Sequence, residues 1–131
     1  MIISKEKCKI LCITGTRADY PRVKSVLKEL ESNENFNLQI IATGSHLLKE
    51  YGYSVQEIID DGFTINKMVP MFEGDFDSPH GMVKAVARCT EGLSDALADL
   101  NPDLVLLTVQ SLVVKLVKLK KISYQKKFNK N

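Results

Sequence analysis

Apolar positions along this chain follow two different spacings. Compact apolar runs at 9–13, 38–43 and 104–109 have the character of buried parallel strands. Between them, apolar residues recur every three or four positions, as on one face of a helix. Val23, Val26, Leu27 and Leu30 form the first such stripe, which ends near Ser32. Ser54-Val-Gln-Glu57 has the spacing of a capping box, with Val55, Ile58 and Ile59 behind it and Asp61-Gly62 closing the helix. Residues 63–71 are apolar but interrupted by Pro70, which limits them to a short or edge strand. Asp77-Ser78-Pro79 opens the longest helix, capped by Asp77 or Ser78 with Pro79 in the first turn. Its predicted stripe is Met82, Val86, Cys89, Leu93, Leu97 and Leu100, and Asn101-Pro102 stops it. The third strong strand, 104–109, is apolar on both faces and is expected to be central. The order β-α-β-α-(β)-α-β specifies an α/β fold: a Rossmann-like parallel sheet with helices on both faces and right-handed crossovers.

The chain is organised around Lys9-Ile-Leu-Cys-Ile-Thr14-Gly15-Thr16-Arg17-Ala18-Asp19-Tyr20-Pro21. A strand breaks at Thr14-Gly15-Thr16 and restarts as a helix, with Pro21 suited to the first turn. Open α/β sheets build phosphate pockets this way, because the helix start offers backbone N–H groups and the positive end of its dipole. Arg17 adds a cation whose planar fork can hold two phosphate oxygens at once. A phosphate-bearing ligand and a plain tight turn with a solvated arginine are both open readings of this stretch.

His46 follows the second strand within Thr43-Gly44-Ser45-His46, on the rim that also carries Arg17. Ligands of open α/β sheets bind at that rim. A rim histidine can donate to a phosphate or a sugar hydroxyl, or move a proton near neutral pH. The alternative is a loop histidine hydrogen-bonded to backbone. His80, at a helix start, reads as solvated or as part of a cap. Glu73, Asp75 and Asp77 read as a solvated acidic loop, with closure over the rim as the alternative. The turn lacks the G-x-G-x-x-G pattern, no acid ends the second strand, and there is no G-x-x-x-x-G-K-[ST] loop. These gaps disfavour a dinucleotide dehydrogenase and a P-loop NTPase, and no cofactor is expected.

Composition sharpens this picture at one point, the carboxyl end. The 131 residues, 44% hydrophobic and 26% charged, suit one ordinary globular domain. Net charge is +2, but residues 1–109 hold eleven Lys and Arg against all 16 acids, a balance of −5, while 110–131 hold seven Lys and no acid. A new βα unit after 109 would bring a turn, a cap and a stripe. Instead Lys115, Lys118, Lys120 and Lys121 scatter around a helical axis, against an amphipathic membrane helix. Only Tyr124 and Phe128 interleave with the cations, thin support for a nucleic-acid arm. A frayed or loosely docked extension at 110–131, distinct from a partial domain at 1–109, is the expectation. No run is long and apolar enough to span a bilayer. The amino terminus, Met1 to Cys8, lacks the order of a secretory signal. Cys8, Cys12 and Cys89 include no C-x-x-C pair and are expected to be buried free thiols, without zinc or redox chemistry, in a reducing cytoplasm.

A set of ordered motifs adds a resemblance. Gly15-Thr-Arg-Ala-Asp-Tyr20, Ala42-Thr-Gly-Ser-His-Leu47, Tyr51-Gly-Tyr53, Glu57-Ile-Ile-Asp-Asp-Gly62, Asp77-Ser-Pro79 and Asn101-Pro-Asp-Leu-Val105 occur in that sequence. Together they resemble the amino-terminal part of the hydrolysing UDP-N-acetylglucosamine 2-epimerases, closest to the sialic-acid-pathway branch, over about residues 8–109. The resemblance implies part of the first domain of a glycosyltransferase-B-like fold with its active site between two domains. It implies release of UDP by anti elimination, then addition of water to give N-acetylmannosamine. It places Gly15, Thr16, Arg17 and Ala18 against the diphosphate of a nucleotide sugar and His46 in the cleft. Pro21 stands where some members carry a nucleotide-binding serine. After Leu107 the family continues into a Gly-Asp-Arg turn with a catalytic Asp and a ligand-binding Arg, where this chain has Val109-Gln110-Ser111. Elimination needs a base at the sugar carbon, an acid or cation at the leaving diphosphate, and a closed dry cleft. The expectation is therefore a chain that is inactive alone, truncated or frame-shifted near residue 110. Rival expectations are a module that still holds a nucleotide or phosphate, and a self-associating one whose 104–109 strand is left as an apolar edge.

Overall fold

The computed structural model describes residues 6–108. The tail at 110–131 and the boundary before it therefore lie outside the described residues. Four strands form one parallel sheet: β1 (Cys8–Thr14), β2 (Phe36–Thr43), β3 (Lys67–Val69) and β4 (Leu104–Leu107), in the order β3-β2-β1-β4. Register runs Ile10 opposite Leu38 and Leu104, so β2 and β4, on either side of β1, end at a similar level on the carboxyl rim. Among the described residues β1 and β2, not the 104–109 run, are the strands paired on both sides. β4 pairs with β1 alone and is an edge among the described residues, although all four of its residues are apolar.

Three helices cover the sheet: α1 (Tyr20–Ser32), α2 (Val55–Asp60) and α3 (Pro79–Leu100). Alternation along β1 divides the core. Leu11 and Ile13 join Ile41, Val69, Ala85, Cys89 and Leu93 on the α3 face. Cys12 joins Ile40, Tyr20, Val23, Leu27 and Ile58 on the α1–α2 face. The expected Rossmann-like sheet with both faces covered is thus what the chain forms. Fully burying one such Leu or Ile stabilises by about 1.5–3 kcal/mol, so the two faces hold the sheet together.

Details of the helices depart from the sequence pattern. The buried line of α3 is Gly81, Ala85, Cys89, Leu93 and Ala96, with the predicted Met82, Val86 and Leu97 flanking it half-buried. The reason is steric: small residues let α3 lie close. A Cβ on Gly92 would come 2.5 Å from Val69 Cγ1, and one on Gly81 1.8 Å from the Asp75 carbonyl oxygen. Ser78 caps α3 as expected, accepting from Gly81 N–H at 3.0 Å. The thiols of Cys12 and Cys89 are buried, Cys8 is half-buried, and all three are free. Burial pushes the Cys12 thiol up to about 12, with the nearby Asp19 carboxylate adding to it. No helix among the described residues is long and apolar enough to cross a membrane.

Candidate functional site

At the carboxyl rim, β1 gives way to Gly15-Thr16-Arg17-Ala18 and then to α1. The Asp19 N–H closes this turn on the Thr16 carbonyl (3.0 Å), and the Arg22 N–H on the Asp19 carbonyl (3.2 Å). Those two donors serve the turn itself, and Pro21 brings none. The neighbouring loop is laced to it. Ser45 donates to the Gly15 carbonyl from its N–H at 2.9 Å and from its hydroxyl at 3.3 Å. Gly44 makes this approach possible: its φ is +62°, and a Cβ there would stand 2.4 Å from the Gly15 oxygen.

Gly15 is buried in this junction, Thr16 is half-buried and Ala18 is exposed. Arg17 projects from the turn with a side chain 72% exposed, and its Nη2 lies 3.2 Å from Glu57 Oε1, a carboxylate 46% exposed. Arg17 and Glu57 therefore share one flank with the His46 loop, because Glu57 follows Ser54 by one helical turn. The guanidinium is in place to meet an anion but already holds a weak internal one.

His46 does not stand on the rim surface. It is 0% exposed, in a 3₁₀ turn at Gly44–Leu47 just beneath the rim. Nε2 is 2.8 Å from Thr14 Oγ1, and Nδ1 is 2.7 Å from Ser54 Oγ. Hydroxyls rather than backbone satisfy the ring. They tie together the end of β1, the loop after β2 and the start of α2. Burial holds its pKa below the ordinary histidine value, opposed by the charges of Asp19 and Glu57. A neutral imidazole donating at one nitrogen and accepting at the other fits this setting.

Ser54 leads to a second correction. The capping box does not form: Ser54 sits at the N-cap of α2 but makes no side-chain bond to the helix. Its hydroxyl is turned to His46, and the Glu57 carboxylate to Arg17. Ser54, Glu57 and Thr14 thus join the site without having been singled out for it. The Ser-x-x-Glu spacing was visible, but local chemistry assigned it to the helix. Asp19 is a further addition. It is 4% exposed, and its Oδ2 has no hydrogen-bond partner among the described residues.

Other expected groups take no part in these contacts. His80 is exposed at the start of α3. Glu73, Asp75 and Asp77 form an exposed loop in which Glu73 Oε2 pairs with Arg88 Nε at 3.1 Å. Among the described residues no group of three or more His, Cys, Asp or Glu is placed to hold a metal ion. A shallow depression lined by Lys7, Phe36, Asn37, Leu38 and Asn66 lies at the opposite, amino end of β2.

Known proteins resemble this chain along most of the described length. The sequence profile of the family described as UDP-N-acetylglucosamine 2-epimerase matches residues 28–109. The GDP/UDP-N,N'-diacetylbacillosamine 2-epimerase (hydrolyzing) of Campylobacter jejuni is 34% identical over 101 residues, covering 77% of this chain and 26% of that protein. The UDP-N,N'-diacetylbacillosamine 2-epimerase (hydrolyzing) of Legionella pneumophila is 38% identical, covering 76% of this chain and 26% of that protein. The crystal structure of the Neisseria meningitidis UDP-GlcNAc 2-epimerase bound to UDP-GlcNAc superposes with a TM-score of 0.65 at 21% identity. It covers 90% of this chain and 30% of its own. At that identity the superposition speaks for the fold. The chain spans about a quarter of the length of these curated relatives. With the laced β1 and β2 loops, the two covered sheet faces and a profile match over most of the described residues, the chain belongs to the UDP-N-acetylglucosamine 2-epimerase family.

Proposed function

We propose that this chain is the diphosphate-facing amino-terminal portion of a hydrolysing 2-epimerase acting on a nucleotide-activated N-acetylated amino sugar. In the whole reaction, UDP leaves by elimination and water adds to give N-acetylmannosamine or its analogue. Gly15, Thr16, Arg17 and Ala18 face the diphosphate, with Arg17 as the charged contact. His46 acts from beneath, holding the two loops at fixed separation. The observation that carries this reading is the position of Arg17: a guanidinium 72% exposed at the carboxyl rim, beside a loop junction too tight for a Cβ. Its relatives' names supply the substrate class, and a neighbour of the same fold was crystallised with UDP-GlcNAc.

The chain by itself does not turn substrate over in this reading. A base at the sugar carbon and a closing second domain are needed for elimination, and residues 6–108 present neither. Titration with UDP, following the Arg17 and His46 resonances by NMR, tests the binding half. Shifts of both at millimolar UDP are expected, and their absence overturns it. Incubation with UDP-N-acetylglucosamine, following release of UDP, tests the other half, and sustained turnover refutes it.

One observation favours a second reading. The outer side of β4 is unpaired among the described residues, with Leu104 48% exposed. An apolar parallel edge is a template for another strand, so self-association is the competing role. Sedimentation that shows only monomer at high concentration rejects it.

A further inference from the structure

In a Ser-x-x-Glu box the serine oxygen takes a helix N–H and the glutamate returns to the serine N–H. A helix of six residues depends on such a cap more than a long one, yet α2 makes no side-chain cap bond. Both polar ends of the motif face the site instead: Ser54 binds His46 at 2.7 Å, and Glu57 pairs with Arg17 at 3.2 Å. Glu57 is held toward the turn by its own backbone, whose N–H donates to the Ser54 carbonyl at 3.1 Å. The chain of contacts runs from Thr14 through His46 and Ser54 to Glu57 and back to Arg17, closing a loop around the β1 turn.

We propose that Glu57 is a resident competitor at the anion site: its carboxylate occupies the Arg17 guanidinium in the absence of ligand and gives way to the phosphate oxygens of an incoming one. This rests on the reading of Arg17 as the diphosphate contact. A carboxylate presents two oxygens to a guanidinium fork as a phosphate does, so the exchange needs no new geometry. Both side chains are exposed, 72% and 46%, so the ligand reaches the pair. Exposed pairs are held weakly, so the resident carboxylate is displaced at little cost. Glu57 also sets a threshold. A ligand with a single carboxylate gains nothing over the resident one, whereas a diphosphate with more charge and more oxygens does.

The test uses the full chain titrated with inorganic pyrophosphate, and with uridine as an uncharged control. Glu57→Gln removes the competitor, and pyrophosphate binding tightens about two- to fivefold, the range open to an exposed ion pair. Uridine binding does not change. In an Arg17→Ala background the same substitution gives no such gain. Glu57→Asp, one methylene too short to span the gap, shifts pyrophosphate binding in the same direction. Equal or weaker pyrophosphate binding by folded Glu57→Gln overturns the proposal. So does an equal gain in the Arg17→Ala background, which marks general charge repulsion. If Arg17→Ala leaves pyrophosphate binding intact, or if neither the parent nor Glu57→Gln binds it, the Arg17 reading fails and this inference falls with it.

Discussion

In the proposed reading, single side chains at this rim divide into those that meet a ligand and those that hold others in place, and Arg17 is assigned to the first kind. Replacing it by Ala removes a charge-assisted contact worth about 1.5–3 kcal/mol, so UDP affinity should fall about tenfold or more with thermal stability nearly unchanged. Calorimetric titration together with a melting curve checks both halves. His46 belongs to the second kind. Burial holds its folded pKa below the unfolded value of 6.5, so the unfolded chain binds the extra proton first. Its contribution to stability is complete above about pH 6.5 and is lost as pH falls through the folded value. Denaturant midpoints should therefore drop from pH 7.5 to pH 5.5 in the parent chain, and that part of the slope should vanish in His46→Gln. Sequence spacing placed Arg17 and His46 near one rim, because strand ends and small residues were legible. It did not show that His46 lies beneath the surface, since that depends on Thr14 and Ser54, 32 and 8 residues away, offering hydroxyls at once.

At the level of the element, the strands and helices followed from periodicity, whereas their partners did not. The 104–109 run has the composition of a central strand, but position in a sheet is decided by which neighbours are present, and composition does not record that. In the buried line of α3, Cys89 and Leu93 were placed correctly, but Met82, Val86 and Leu97 were each read one position beyond the buried Gly81, Ala85 and Ala96, for a related reason. Large apolar residues mark a stripe, but close approach is governed by Gly81, Ala85 and Gly92, whose importance is the absence of atoms. The Ser54–Glu57 motif was misassigned because its local role and its long-range role use the same atoms. The packing argument carries a prediction. Gly44→Ala forces a Cβ against the Gly15 oxygen at a φ of +62°, and should cost about 2 kcal/mol or more. Gly52→Ala, at a φ of +80° but with nothing within 4 Å, should cost only its backbone strain, about 1 kcal/mol. Chemical denaturation of the two variants separates steric conflict from strain.

At the largest scale, the described residues form a four-stranded sheet whose carboxyl rim carries the candidate site. Among the described residues the parallel order, with β2 and β1 at the centre and β4 at one edge, leaves the apolar face of α3 and β4 only partly covered at Leu97, Leu100, Val105 and Leu107. Association is the expected response, and replacing Leu104 by Lys on the β4 edge should lower the sedimentation coefficient of any assembly without changing UDP-induced NMR shifts. The two proposed roles, binding and association, thus draw on separate parts of the molecule and can be tested one at a time. The lacing of Ser45 onto the Gly15 carbonyl also has a bearing on how this loop tolerates change. A residue added between Thr43 and His46 would have to breach a junction with no spare volume, whereas the bend at Gly52 opens onto free space. Length variation, whether natural or introduced by hand, is accordingly steered to the bend at Gly52, where new chain can grow outward and leave the Gly15–Ser45 corner undisturbed.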